Sequence, residues 1–130
     1  MVQARKIRVL VVDDEDRLRQ MAKSLLQAEV DIQVVGEAAN GRAAVDLNTT
    51  LSPDLILMDI AMPQLNGLEA TKLIRKNSPG AKIIVITAMA DEPYRKAAMD
   101  VGATAFLGKG SLYNDLIPTI HTMFNQTMLN

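Results

Sequence analysis

Asp13, Asp14 and Asp59, together with Thr87 and Lys109, are the residues of this chain whose types could act as one chemical unit. Each closes or follows a short apolar run. Ile7 to Val12 leads into Asp13-Asp14, Asp54 to Met58 into Asp59, Ile83 to Ile86 into Thr87, and Thr104 to Leu107 into Gly108-Lys109. If these runs are neighbouring strands, three carboxylates meet at one edge of a sheet. Like charges at close range disfavour each other's ionised forms unless something offsets them. A hard divalent cation does so, and oxygen donors with room for water suit magnesium, or manganese, better than zinc. Lys109 adds an ammonium and Thr87 a hydroxyl donor. Cation, ammonium and hydroxyl around one carboxylate meet the needs of a transferring phosphoryl group, whose oxygens must be held and whose charge must be offset. The carboxylate can itself be the nucleophile. Taken singly, each residue has a plainer reading: an aspartate after a strand caps a helix, as Asp16 is placed to do, a threonine is a strand former, and a lysine is solvated. The five at one sheet edge are what carries the argument.

The elements that must bring them together can be read from apolar periodicity. Three of the four runs are rich in Val, Ile and Leu without alternation, the pattern of strands covered on both faces. Ile32 to Gly36 is a fifth, more polar strand suited to a sheet edge. It leads to Glu37, which stands outside the site. Leu18, Met21, Ala22, Leu25 and Leu26 form one helical stripe. Tyr94, Ala97, Ala98 and Val101 form a second, and Leu112, Leu116, Ile120 and Phe124 a third. Ala43 to Leu51 and Leu65 to Ile74 carry weaker stripes. Gly102 suits a helix C-terminus and Ser111 an N-cap. Five βα units in succession predict an α/β fold, a doubly wound parallel sheet with right-handed crossovers and helices on both faces. The flavodoxin-like strand order 2-1-3-4-5 is the natural small solution, and its ligands lie beyond the carboxyl ends of the strands at the switch point.

Length and composition set the outer bounds. With 130 residues the chain suits one domain. The absence of cysteine excludes a disulfide framework, a thiol nucleophile and a cysteine-based zinc site, and fits a cytoplasmic location. A net charge of −1 from 14 basic and 15 acidic residues gives no pull toward nucleic acid or anionic membrane. Arg5, Lys6 and Arg8, and Lys72, Arg75 and Lys76, read as a polar tail and a solvated face. No apolar run approaches the roughly 18 residues of a membrane span. Gly102 to Gly110 misses the phosphate-loop spacing, and Asp14-Glu15-Asp16 lacks the glycine of a calcium loop. His121, the only histidine, reads as solvated.

The Asp13-Asp14 pair, Asp59-Ile60-Ala61-Met62-Pro63 followed by Asn66-Gly67, Thr87-Ala88, and Phe106-Leu107-Gly108-Lys109 occur in the order and spacing of a known family. From about Ile7 to Phe124 the chain resembles the receiver domains of two-component response regulators. The resemblance implies one receiver domain over 1–130, with residues 125–130 as a tail or the start of a linker. It implies that Asp59 accepts a phosphoryl group from a sensor histidine kinase or phosphotransfer protein. Asp14, Asp59 and the Ala61 carbonyl would hold magnesium directly, and Asp13 would do so through water. Thr87 and Lys109 would hold the phosphoryl oxygens, and Phe106 is the switch aromatic that follows Thr87 inward. The expected output is a changed surface over the fourth helix, fifth strand and fifth helix, where Met89 and Met99 flank the fourth helix. That surface would govern a partner or a phosphorylation-dependent homodimer. DNA would be reached only through a separate output domain, and the membrane not at all.

Three positions depart from the commonest pattern of that family. Gly110 replaces the proline that often follows the lysine, as in receivers attached to helix-turn-helix DNA-binding domains. Ala61 and Met89 replace polar residues that flank the route of the attacking water, which predicts an altered lifetime of the phosphorylated form. Two rival readings fit the residues less well. An aspartate-nucleophile phosphohydrolase needs a second carboxylate where Ala61 stands. A docking module that is never phosphorylated has no need of the complete set Asp13, Asp14, Asp59, Thr87 and Lys109.

Overall fold

The computed structural model describes residues 5–62 and 65–124. Pro63, one of the residues that carry the family resemblance, and the tail 125–130 lie outside them. Five strands alternate with five helices: β1 (Ile7–Val12), α1 (Asp16–Gln27), β2 (Ile32–Ala38), α2 (Gly41–Leu51), β3 (Leu55–Asp59), α3 (Gly67–Asn77), β4 (Lys82–Thr87), α4 (Glu92–Asp100), β5 (Ala105–Gly108) and α5 (Leu112–Met123). A short 3-10 turn, Lys109–Ser111, links β5 to α5. The strands are parallel in the order 2-1-3-4-5. The predicted α/β architecture is therefore observed.

Strand alternation explains why the central runs are apolar throughout. Leu10, Val12, Ile56, Met58, Ile83 and Val85 point to one face, where Ala44, Val45, Ala70, Ile74 and Ala98 of α2, α3 and α4 cover them. Val9, Val11, Leu55, Leu57, Ile84 and Ile86 point to the other, under Ala22 and Leu26 of α1 and Leu112, Leu116 and Ile120 of α5. Beyond the partly exposed Arg8 and Lys82 near their amino ends, β1, β3 and β4 are buried on both faces, so both periodic positions in their interiors are apolar. Each fully buried Leu or Ile contributes on the order of 1.5–3 kcal/mol. This double layer is the rigid base on which the carboxyl edge stands. β2 has an exposed Gln33 and several half-buried residues, as the sheet-edge reading requires.

Element ends differ from expectation where polar chemistry decides them. Helix α3 starts at Gly67, not Leu65, because Leu65 has φ 75 and Asn66 caps the helix by accepting the Glu69 N–H at 3.0 Å. Ser111 and Asp16 do not cap: Ser111 makes no side-chain cap bond, and Asp16 is the first residue of α1, where it pairs with Arg19. Gly102 closes α4 with φ 107, as its position predicts. Helix α5 runs through Pro118, which removes one backbone donor; the apolar stripe on α5 outweighs that loss.

Candidate functional site

The sheet brings the chemistry-bearing residues to one edge. β1 lies beside β3, β3 beside β4, and β4 beside β5, so their carboxyl ends deliver Asp13-Asp14, Asp59, Thr87 and Lys109 side by side. Asp59 is the last residue of β3 and pairs in register with Ile86. The chain after it is fixed closely. Gly67 N–H donates to the Ile60 carbonyl at 2.8 Å, and a Cβ on Gly67 would stand 1.9 Å from the Asp59 carbonyl oxygen. Only glycine lets the start of α3 press this near the Asp59 backbone.

Asp13, Asp14 and Asp59 converge: one carboxylate oxygen from each lies within 4.8 Å of the others. Asp13 and Asp59 are 1% and 2% exposed, while Asp14 is open to solvent. The Oδ1 of Asp13 accepts the Glu15 N–H at 2.8 Å. The Oδ2 atoms of Asp13 and Asp59 are buried and accept no hydrogen bond within the described structure. Buried acceptors without partners are costly and uncommon, and they mark places where a further group belongs. Burial, and then the neighbouring Asp13 charge, push the Asp59 carboxyl up to about 7, against the pull of Lys109. Burial likewise raises Asp13, against the Glu15 N–H and Lys109.

Lys109 reaches across from the end of β5. Its Nζ lies 2.9 Å from Glu15 Oε1, 3.1 Å from Asp13 Oδ2 and 3.4 Å from Asp59 Oδ1. Burial alone would lower its pKa, but the three carboxylates outweigh it and raise it, so the ammonium is permanent at neutral pH. Thr87 is buried and its Oγ1 accepts the Met89 N–H at 3.0 Å; its own proton is directed to no described acceptor. Phe106 is half-buried and packs on the core face covered by α2, α3 and α4. Ala61 is exposed next to the site.

The all-oxygen cluster with two unpartnered buried acceptors fits a hard divalent cation, the class of ion expected from the residue types. It also fits phosphoryl chemistry on Asp59. Matching over residues 9–121 identifies a response regulator receiver domain. The chain belongs to the response regulator receiver domain family. This receiver domain is 36% identical over 118 residues to the response regulator GacA of Pseudomonas aeruginosa, covering 91% of this chain and 55% of that protein. It is 44% identical over 102 residues to the chemotaxis protein CheY of Thermotoga maritima, covering 78% of this chain and 84% of CheY. It superposes on the crystal structure of a LuxR-family two-component response regulator from Aurantimonas with a TM-score of 0.88 and 28% identity, covering 93% of this chain and 86% of that one. The receiver domain thus spans about half the length of GacA. A receiver is not a conventional enzyme. No described helix is long and apolar enough to cross a membrane.

Two residues of the site neighbourhood escape a sequence reading. Glu15 is the hydrogen-bond partner of Lys109 from 94 residues away, and no local pattern marks it. Arg19 donates to the Asp13 carbonyl at 2.7 Å and to Glu37 at 3.2 Å, tying α1 to the ends of β1 and β2. Glu37 itself is held there by Lys23 and Arg19, outside the site as expected. The basic groups read as solvated are partly structural. Arg5 and Arg8 hold Asp54 and Ser52, and Arg75 binds the carbonyls of Pro79, Ala81 and Gly102. His121 is half-buried and bonded to Asp31 at 3.0 Å rather than solvated.

Proposed function

We propose that this receiver domain is a phosphorylation switch in which Asp59 takes a phosphoryl group from the phosphohistidine of a sensor kinase or phosphotransfer protein. The observation that carries this reading is the buried Asp59 Oδ2 without a partner, beside Lys109 and the other two aspartates. A carboxylate oxygen of Asp59 attacks phosphorus while the bond from phosphorus to the donor nitrogen breaks, and the electron pair departs on the donor imidazole. Asp13, Asp14 and Asp59, with the Ala61 carbonyl, would hold magnesium, and manganese suits the same donors. Held by these residues, such an ion would supply positive charge to offset the phosphoryl oxygens and would favour the ionised form of Asp59. Lys109 supplies fixed positive charge from the opposite side, and Thr87 turns its hydroxyl proton toward a phosphoryl oxygen.

The switch reading follows from the same residues. The backbone of Thr87 enters the loop to α4, so a Thr87 drawn toward Asp59 shifts that loop, and the half-buried Phe106 follows. The surface of α4, β5 and α5 then changes, a two-state element of the kind phosphorylation biases. Met89, Tyr94, Met99 and Tyr113 are exposed there, which supports a partner or homodimer contact. The kinship with LuxR-family regulators supports a helix-turn-helix output domain elsewhere in the protein, hence control of transcription from the cytoplasm. With neutral Ala61 and Met89 beside Asp59 and Thr87, hydrolysis of the aspartyl phosphate has no side-chain assistance from these positions.

Intact-mass spectrometry after incubation with acetyl phosphate tests the acceptor. A magnesium-dependent gain of one phosphoryl group, lost in Asp59→Asn, is expected. No gain from acetyl phosphate or from a phosphorylated histidine kinase would overturn the reading and favour docking without phosphorylation.

A further inference from the structure

One ammonium has three N–H donors, and Lys109 meets three carboxylates, but the contacts are not equivalent. Only the contact to Glu15 has hydrogen-bond geometry. Asp13 Oδ2 and Asp59 Oδ2, both buried, receive no hydrogen bond within the described structure. The cation of the site therefore gives its best-directed bond outward, to a side chain that is 63% exposed, while the lysine itself is 15% exposed. Glu15 is not a loose surface group, because its backbone N–H is anchored on Asp13 Oδ1.

We propose that Glu15 is a positioning residue that holds Lys109 at the rim of the resting site and competes with the arriving phosphoryl group for that ammonium. The inference rests on the reading of Asp59 as acceptor. To grip a phosphoryl oxygen, Lys109 must turn a donor away from one of its carboxylates. Glu15 is the one that water can resolvate at least cost, since it is the most exposed of the three. It is therefore the one released, and the free energy of its pair with Lys109 is subtracted from the affinity for the occupied state. Removing the carboxylate removes the competitor without touching the acceptor or the cation site.

Beryllofluoride, a phosphoryl mimic, titrated calorimetrically into the domain at saturating magnesium, reads this competition. Glu15→Gln is expected to bind it about two- to five-fold more tightly than wild type, the scale of an exposed ion pair. Asp16→Asn removes the same charge one residue along, from a carboxylate paired with Arg19 and not with Lys109. It is expected to leave the affinity unchanged. Equal affinity of Glu15→Gln and wild type would overturn the proposal, and so would equal tightening in Asp16→Asn, which would make the effect a general one of charge. Wild-type binding that disappears in Asp59→Asn keeps the acceptor reading intact whatever Glu15 does. Absence of wild-type binding would remove that reading and this inference together.

Discussion

Strand β3 is flanked by two aspartates with opposite fates. Asp54 stands just before it and Asp59 closes it, five positions on. Both are largely removed from water, and burial pushes both carboxyl groups up. At Asp54 the protein answers that cost in full. Arg5 donates twice, at 2.7 and 2.6 Å, and the Arg8 N–H donates at 2.8 Å, so the pKa falls below its ordinary value. At Asp59 the answer is withheld. One oxygen has no partner, Asp13 adds a like charge, Lys109 stands at 3.4 Å and leans on Glu15, and the pKa climbs to about 7. The amino end of the sheet completes its own electrostatics. The carboxyl end leaves buried carboxylate oxygens of Asp13 and Asp59 without a partner, the place where the proposed cation and phosphoryl group would bind.

The sharpest way to break this contrast is to neutralise Asp59. A carboxyl whose folded pKa is raised binds its proton more tightly when folded, so its ionisation works against folding. That penalty is absent below about pH 4, the ordinary value in an unfolded chain, and is complete above about pH 7. Asp59→Asn is expected to raise the metal-free unfolding free energy at pH 8 by up to about 4 kcal/mol, three pKa units at about 1.4 kcal/mol each. Denaturant melts should show little of this gain at or below about pH 4, where Asp59 is protonated in both the folded and the unfolded chain, and about a third of it at pH 5. A variant no more stable than wild type at pH 8 would contradict the raised pKa. Magnesium should stabilise wild type and not Asp59→Asn.

Gly67→Ala comes next, because its new Cβ would meet the Asp59 carbonyl at 1.9 Å. An overpacking cost of about 1–3 kcal/mol is expected, together with slower phosphorylation as β3 and α3 are forced apart. Asp54→Ala should cost a similar 1–3 kcal/mol, since the Arg8 N–H loses its acceptor, yet leave the phosphorylation rate unchanged. A large change in that rate would show that the two ends are not independent. Arg5→Ala should matter least, under about 1 kcal/mol, because Arg5 is 69% exposed and Asp54 keeps the Arg8 N–H.

Most of the fold and the core of the site are legible in the amino-acid sequence. Runs such as Ile83 to Ile86 read as strands covered on both faces because they are short and rich in β-branched residues, and the residues that end them then converge by topology. What stays hidden depends on pairs remote in sequence. Glu15 with Lys109 and Asp54 with Arg5 have no local signature, because a carboxylate reads the same whether it is satisfied or not. The start of α3 departs from the apolar pattern for a different reason. Leu65 fits the stripe, but Asn66 makes a better cap, and local hydrogen bonding overrides periodicity at helix ends.

The contrast between the two aspartates is tested most directly by following their side-chain carboxyl carbons by NMR as pH is varied without metal. Asp59 is expected to titrate near pH 7 and Asp54 below its ordinary value, with the Asp59 midpoint falling sharply once magnesium is added. Two midpoints near pH 4, unmoved by magnesium, would contradict the account.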